Sequence, residues 1–352
     1  MSQPPDLAPK AGVSIWWFAF GYFACYAPYS ALTKAITGGL TTGMRSPLTG
    51  FELLPCTVLV STIGMYIFLS AMRWWRHASH FEFLGRSLPR PGLWTFLSGV
   101  CTAGIIGTTT LAYTFEGVSI VFVMLLMRGG VVLIAPVVDR LSGRRVRWFS
   151  AIGSVLSLAA LVVAFSEQGG YDISVLCAVD VGIYLLSYFI RFRFMSRLAK
   201  SDDASLNQRY FVEEQMVASP FLLVVLLLAA FLGHGGFFDE LHAGFTSFWS
   251  RGVVLQAVLI GALSQGTGIF GSLILLDARE NTFCVPVNRS SSILAGVVAS
   301  FTLALIFDIS SPSAHQLVGA SLIIAAILVL SIAPALERRS QRQAAAAVSD
   351  CG

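Results

Sequence analysis

Ten apolar runs of about twenty residues recur along the chain, at 13–33, 53–71, 93–114, 119–138, 148–166, 172–190, 212–232, 252–276, 282–306 and 315–334. Wound as an α-helix, a run of that length matches the roughly 30 Å hydrocarbon thickness of a bilayer. Every backbone amide in hydrocarbon must be satisfied within its own segment, so these runs are predicted to be helices. They are too long for barrel strands and lack the period-two alternation such strands need. Composition agrees: 55% of the 352 residues are apolar and only 12% charged, against roughly 25% in a soluble domain, with a mean hydropathy of +0.75. The predicted class is an all-α integral membrane protein with ten transmembrane helices. Soluble-enzyme, disordered, collagen-like and disulfide-scaffold readings are excluded.

The positive charges set the predicted orientation. The loops after runs two, four and six hold Arg73, Arg76, Arg86 and Arg90; Arg140, Arg144, Arg145 and Arg147; and Arg191, Arg193, Arg197, Lys200 and Arg209. With Lys10, Arg279, Arg338, Arg339 and Arg342 that side carries 18 of the 23 basic residues, whereas the other side carries Lys34, Arg45 and Arg251. Both termini are therefore expected in the cytoplasm. The net charge of +4 follows from these loops and implies no nucleic-acid partner. The segment MSQPPDLAPK has no basic n-region, so the first run reads as a retained span and not a signal peptide. Arginine outnumbers lysine 20 to 3, a mark of a GC-rich genome that points to a bacterial cytoplasmic (inner) membrane.

Displacing the sequence by 161 positions superposes runs one to four on runs six to nine. Glu52 falls on Glu213, Gly21 on Gly182, Gly107 on Gly268, Glu116 on Asp277, Phe122 on Phe283 and Arg128 on Arg289. Charged residues are scarce here, so three charge matches at one offset carry weight. Five spans per half is an odd number, which gives the halves opposite polarity in the bilayer. The expected organisation is a tail at 1–12, a first repeat at 13–166, an inverted second repeat at 167–335 and a tail at 336–352. Many secondary transporters are built this way, with the substrate site near the midplane between the halves. Small residues at four-residue spacing (Gly99, Ala103 and Gly107; Ser292, Gly296 and Ser300) suit close helix packing.

Charge enters the middle of the runs at three positions, Arg128, Asp180 and Arg289. An arginine at that depth costs about 2.5–3.5 kcal/mol on the insertion scale, so each is expected to face the bundle interior and meet an anion. Either the pair grips a carboxylate or phosphate on a substrate, or the arginines are structural, held by Asp180 or by carbonyls. Asp180 is a candidate counter-charge or proton carrier, with Tyr184 and Tyr188 on its side of the helix. Tyr22, Tyr26 and Tyr29 form an aromatic stripe that either lines a cavity or only packs. Asn288 and Ser292 flank Arg289 in the most polar stretch of any run. Glu52, Glu116, Glu213, Glu214 and Asp277 lie near segment ends. They are read either as solvated ends or as gate ion pairs, with Lys34 or Arg45 on one side and Arg191 or Arg279 on the other.

No Walker, zinc-protease or nucleophile-elbow motif is present, the five histidines lie in loops or at helix ends, and no cysteine pair has ligand spacing. No cofactor and no metal are expected.

The chain resembles the EamA-type branch of the drug/metabolite transporter (DMT) superfamily over about 13–335, most specifically in MLLMRGGVVLIAPVVDRLSGRRVRWFSAIGSVLSLAALVVAF and VPVNRSSSILAGVVASFTLALIFDISSPSAHQLVGASLIIAAILVLS. The resemblance implies a helical basket around a central cavity, lined by helices one, three, four, six, eight and nine. Tyr22, Arg128, Asp180 and Arg289 map to those helices. Many members carry a glutamate in the turn after helix four or nine, where this chain has Asp139-Arg140 and Asp308-Ile309. The expected function is secondary active transport of a small organic anion or zwitterionic metabolite by alternating access, without enzymatic conversion. A flippase for a lipid-linked or prenyl-phosphate substrate and an intramembrane enzyme acting on lipids are the alternatives. Coupling to H+ or Na+, direction of flux and assembly as a homodimer stay open.

Overall fold

The computed structural model describes residues 14–40, 48–83, 85–111, 120–166, 175–201, 203–307 and 314–350, and their side chains other than those at 110, 111, 120–126, 164, 165, 176, 316, 331, 334, 335 and 338–350. Among the described residues there are eleven α-helices: α1 (Ile15–Thr37), α2 (Gly50–Ala71), α3 (Leu93–Leu111), α4 (Ile120–Leu141), α5 (Trp148–Phe165), α6 (Val175–Leu198), α7 (Ala204–Leu232), α8 (Phe237–Phe245), α9 (Val254–Leu275), α10 (Asn281–Phe307) and α11 (Ala314–Asp350). Four of them, α2, α7, α9 and α10, are long and apolar enough to cross a membrane by length and composition. Large apolar side chains face outward, Leu305 at 86% and Leu255 at 78% exposure, as suits a multi-pass membrane protein whose outer solvent is lipid.

Three features depart from the sequence reading. The stretch after α2 is an antiparallel hairpin, with β1 (Ser79–Phe83) paired to β2 (Arg86–Arg90), where a loop is expected. Helices α6 and α7 extend eight residues beyond their apolar runs, to Leu198 and back to Ala204, so Arg191, Arg193, Arg197 and Arg209 are helical. A short helix, α8, packs on α2 and α7 at the far end of the bundle from the arginine-rich loops.

Packing follows a pairwise pattern. Helix α1 lies along α9 and α10, and α6 lies along α3 and α4; α2 packs on α9, and α3 on α7. Helix α5 packs on α11, α2 on α7, and α4 on α10. Each of these contacts maps onto another, or onto itself, when α1 to α5 are exchanged with α6, α7, α9, α10 and α11. Close approach needs small residues at two of them. A Cβ on Gly99 would sit 2.6 Å from Val217 Cβ and 2.9 Å from the Glu214 carbonyl oxygen, and one on Gly261 would sit 2.7 Å from Val60 Cβ. Gly296 differs from the expectation, since a Cβ there meets nothing within 4 Å.

Prolines inside the helices leave carbonyls without their usual partner four residues on. At Pro286 the freed Thr282 carbonyl accepts from Ser154 Oγ at 3.3 Å, and at Pro220 the Met216 carbonyl accepts from the Tyr66 hydroxyl at 3.2 Å. Neighbouring helices thus satisfy backbone that lipid could not.

The hydrophobic core is continuous at the end carrying the basic loops, from Ile15 and Leu69 through Phe149, Phe192, Phe211 and Phe283. Toward the other end it divides into two smaller clusters, one around Leu53, Phe248 and Ile260 and one around Leu54, Leu222 and Leu241. A cavity occupies the bundle between them.

Candidate functional site: a cavity between the two sets of helices

The cavity has a volume of about 210 Å³ and extends from Arg128 and Arg289 to Thr33, Thr37, Gly50 and Thr109 at the far ends of α1, α2 and α3. Helices α1, α2, α3, α4, α6, α7, α9 and α10 contribute to its wall. Its volume lies below the roughly 300–1,000 Å³ of pockets for drug-sized ligands.

Both arginines reach this wall and both are buried, Arg128 at 8% and Arg289 at 5% exposure. Arg128 on α4 donates from Nη1 to Ser292 Oγ at 2.7 Å and from Nη2 to the Tyr26 hydroxyl, with its guanidinium 5.1 Å from the Tyr26 ring centroid. Arg289 on α10 stacks 4.8 Å from the Tyr188 ring centroid, and its Nε and Nη2 have no hydrogen-bond partner. Each cation therefore lies on a tyrosine, Arg128 on Tyr26 of α1 and Arg289 on Tyr188 of α6, an attraction worth about 2 kcal/mol when desolvated.

The tyrosines form two stacks. Tyr22 lies against Tyr26 with centroids 5.4 Å apart, Tyr26 meets Tyr29 edge-on, and Tyr184 meets Tyr188 at 4.9 Å. All five line the cavity, as does Asn288. Ser292 is spent on Arg128 and on the Arg289 carbonyl, to which it donates at 2.8 Å. Asp180 is buried at 4% exposure, but it is not among the residues of the wall. Its two carboxylate oxygens have no hydrogen-bond partner, and no ion pair joins it to either arginine among the described residues. The structural alternative in which Asp180 holds an arginine is thus absent from this conformation.

On the basic-loop side the cavity ends on a polar floor. Arg191 on α6 donates from Nε and Nη2 to the two oxygens of Glu214 on α7, at 2.8 and 2.7 Å, and from Nη2 to Ser272 Oγ on α9 at 3.1 Å. Ser98 on α3 donates to Glu214 Oε1 at 2.7 Å, and the Tyr210 hydroxyl reaches the same oxygen at 3.3 Å. The carboxylate thereby ties α3 and α6 to α7, and Arg191 extends the network to α9. Below it, Lys200 donates to the Leu275 carbonyl at 2.8 Å, a cation at the C-terminal end of α9.

The carboxylates near the segment ends are buried or paired, where solvated ends were the blander expectation. Glu213 is 1% exposed and accepts from the Ser79 amide, Ser79 Oγ, the Gly92 amide, Thr95 Oγ1 and Arg209 Nε, joining the hairpin and the start of α3 to α7. The partner of Glu52 is Arg251 at 2.6 Å, in place of Lys34 or Arg45. Asp277 pairs with Arg279 through contacts of 2.6 and 2.8 Å. Burial raises the cost of charge at Asp277, but the hydrogen bonds and positive charge of Arg279 outweigh it and hold the carboxyl below its ordinary range. Glu116 lies outside the described residues.

Sequence reasoning missed Asp139. It is read there as a turn residue, yet it is fully buried and accepts from the Asn281 amide, Asn281 Nδ2, the Thr282 amide and Thr282 Oγ1 at 2.7–2.9 Å, capping the first turn of α10. The available signal is Asn281-Thr282 opening a helix after an acidic turn elsewhere, which no local pattern links to residue 139.

The sequence matches no family model and no curated protein. Solved structures do match. A crystal structure of a protein with 15% identity aligns over 94% of this chain and 99% of its own, with a TM-score of 0.56. The likeness extends over nearly the whole molecule and concerns the fold.

Proposed function

We propose that the protein is a secondary active transporter in which ten spans form two inverted five-helix halves, 13–166 and 167–335, with α8 as an additional helix at one end. The cargo is a small organic anion or zwitterion, moved across the cytoplasmic membrane by alternating access and released unchanged. The observation that supports this reading is a cavity holding two buried arginines, extending toward the far ends of α1, α2 and α3 and bounded at the other end by the Arg191–Glu214 ion pair. A carrier needs one site that faces one side at a time, and an anion offsets the cost of two cations in a desolvated space. The pairing of contacts under exchange of the two sets of helices supports the repeat, and the resemblance to EamA-type transporters fits it. Arg128 and Arg289 engage the negative group, the tyrosines of α1 and α6 surround the body, and Asp180 carries a coupling proton.

Uptake of a labelled metabolite panel into proteoliposomes tests the proposal. Transport of the substrate so identified is expected to fall at least tenfold in Arg128→Ala and Arg289→Ala, by analogy with loss of a charged hydrogen bond. Undiminished transport in both variants would remove the arginines from the mechanism.

A further inference from the structure

The two arginines of the cavity are not equivalent. Arg128 has both terminal nitrogens engaged, Nη1 by Ser292 and Nη2 by Tyr26. Arg289 leaves Nε and Nη2 without partners while 95% of its surface is buried (5% exposure). Those two nitrogens share one edge of the guanidinium plane, and their fork matches the spacing of the two oxygens of a carboxylate. The same chain shows this grip in use, since Arg191 presents the same Nε and Nη2 edge to Glu214 at 2.8 and 2.7 Å. Arg289 lines the cavity, but this edge of it lies behind the wall with less than 1 Å² of either nitrogen exposed, so a ligand reaches it once the guanidinium turns on the Tyr188 ring.

The wall also restricts what else the ligand can carry. Among the described residues lining the cavity there is no aspartate and no glutamate. Glu214 lies at the floor with its oxygens engaged by Arg191 and Ser98, and Asp180 is off the wall. An ammonium group in this space would lose its hydration and add a third positive charge beside Arg128 and Arg289, with no carboxylate among the described lining residues to offset it. Tyrosine faces and a volume of about 210 Å³ suit a small, apolar or flat body.

Resting on the carrier reading above, we infer that the cargo is a small carboxylate without an ammonium group. Arg289 holds its two oxygens side-on, and Arg128, its terminal nitrogens taken by Ser292 and Tyr26, engages the same negative group through its charge from beside it. Amino acids are thereby excluded as cargo, and phosphate and phosphonate heads, with three acceptor oxygens, fit a single two-donor edge less well.

The test is a binding series on the purified full chain in detergent. One hydrocarbon body carries four heads, as 3-phenylpropanoate, phenylalanine, 2-phenylethylphosphonate and 3-phenylpropanamide, and the set is repeated on a smaller body as propanoate, alanine, ethylphosphonate and propanamide. The carboxylate of at least one set is expected to bind about tenfold or more tighter than its partners. Its Kd should weaken roughly ten- to a hundredfold in Arg289→Gln, the loss expected for hydrogen bonds to a charged group, and Arg289→Lys should restore only part. A cooperative melt of each variant establishes that it is folded. Equal binding of the amino acid, or carboxylate binding unchanged in Arg289→Gln, overturns the inference. A phosphonate that binds best and depends on Arg289 overturns the carboxylate head but leaves the anion-carrier reading standing. Failure of both sets to bind at all counts against both.

Discussion

Arg191 and Glu214 meet in a two-pronged ion pair beneath the cavity, with 3% and 0% of their respective surfaces exposed. Such a pair is costly to break from one side, because the remaining partner is left charged in a dry environment. Glu214→Ala is expected to lower stability by about 3–5 kcal/mol, whereas Arg191→Met combined with Glu214→Leu should recover most of that loss. Thermal melts of the single and double variants in one detergent decide it. Equal destabilisation of the double variant would show that the residues act through packing alone.

The Ser154 hydroxyl matters only because Pro286 leaves the Thr282 carbonyl unserved. Ser154→Ala should therefore cost about 1 kcal/mol in the native background and close to nothing when Pro286 is replaced by alanine, which restores a backbone donor. A double-mutant cycle reads this directly. Additive losses would mean that the hydroxyl serves some other group.

Two glycines make opposite predictions. In Gly99→Ala the new methyl must push α3 away from Val217 and the Glu214 carbonyl, at a cost of about 1–3 kcal/mol, and it should disturb the Ser98–Glu214 contact as well. In Gly296→Ala nothing lies within 4 Å, so the gain in helix propensity dominates and stability should rise by up to about 1 kcal/mol. Melting both variants side by side checks the contrast, and destabilisation at Gly296 would contradict it.

Asp277 contributes to the acid side of the stability profile. Its carboxyl pKa is lower in the folded chain than in the unfolded one, so its contribution is complete at neutral pH and lost as pH falls below the ordinary value of about 4. The pair is partly exposed, which limits its worth to about 0–1 kcal/mol. Asp277→Asn should lower stability by that much at pH 7 and converge with wild type at acid pH, so the acid limb is flattened. A variant that matches wild type at pH 7 but differs from it at pH 3 would reverse the sign and refute the assignment.

The positions of the long helices were legible because hydrocarbon imposes a length and forbids charge. Both constraints act locally, and Arg128 and Arg289 point inward for the same reason. Helix α6 outran its apolar segment because Arg191 and Arg193 continue a helix well once neighbouring segments supply partners, so the arginine read as a candidate gate partner in a loop stands on a helix at the floor of the cavity. Asp180 was assigned to the side of Tyr184 and Tyr188. It is buried off the wall all the same, although Tyr184 and Arg191, about 40° and 20° from it around the helix, line the cavity, so helical periodicity alone does not decide which side chains reach the wall. Asp139 and Glu213 accept from backbone amides more than a hundred residues distant. Nothing in a local pattern could indicate those partners.

Among the described residues the ion pair of the floor has no counterpart on the 161-residue register, where Arg191 corresponds to Ser30 and Glu214 to Leu53, a hydroxyl and a hydrocarbon that cannot attract each other as charges. At the other end the fastening is a different one, Glu52 with Arg251, which is partly exposed and so the weaker of the two. If the two sets of helices trade places as proposed, unlike latches hold the two postures, and the swing between them starts from unequal energies.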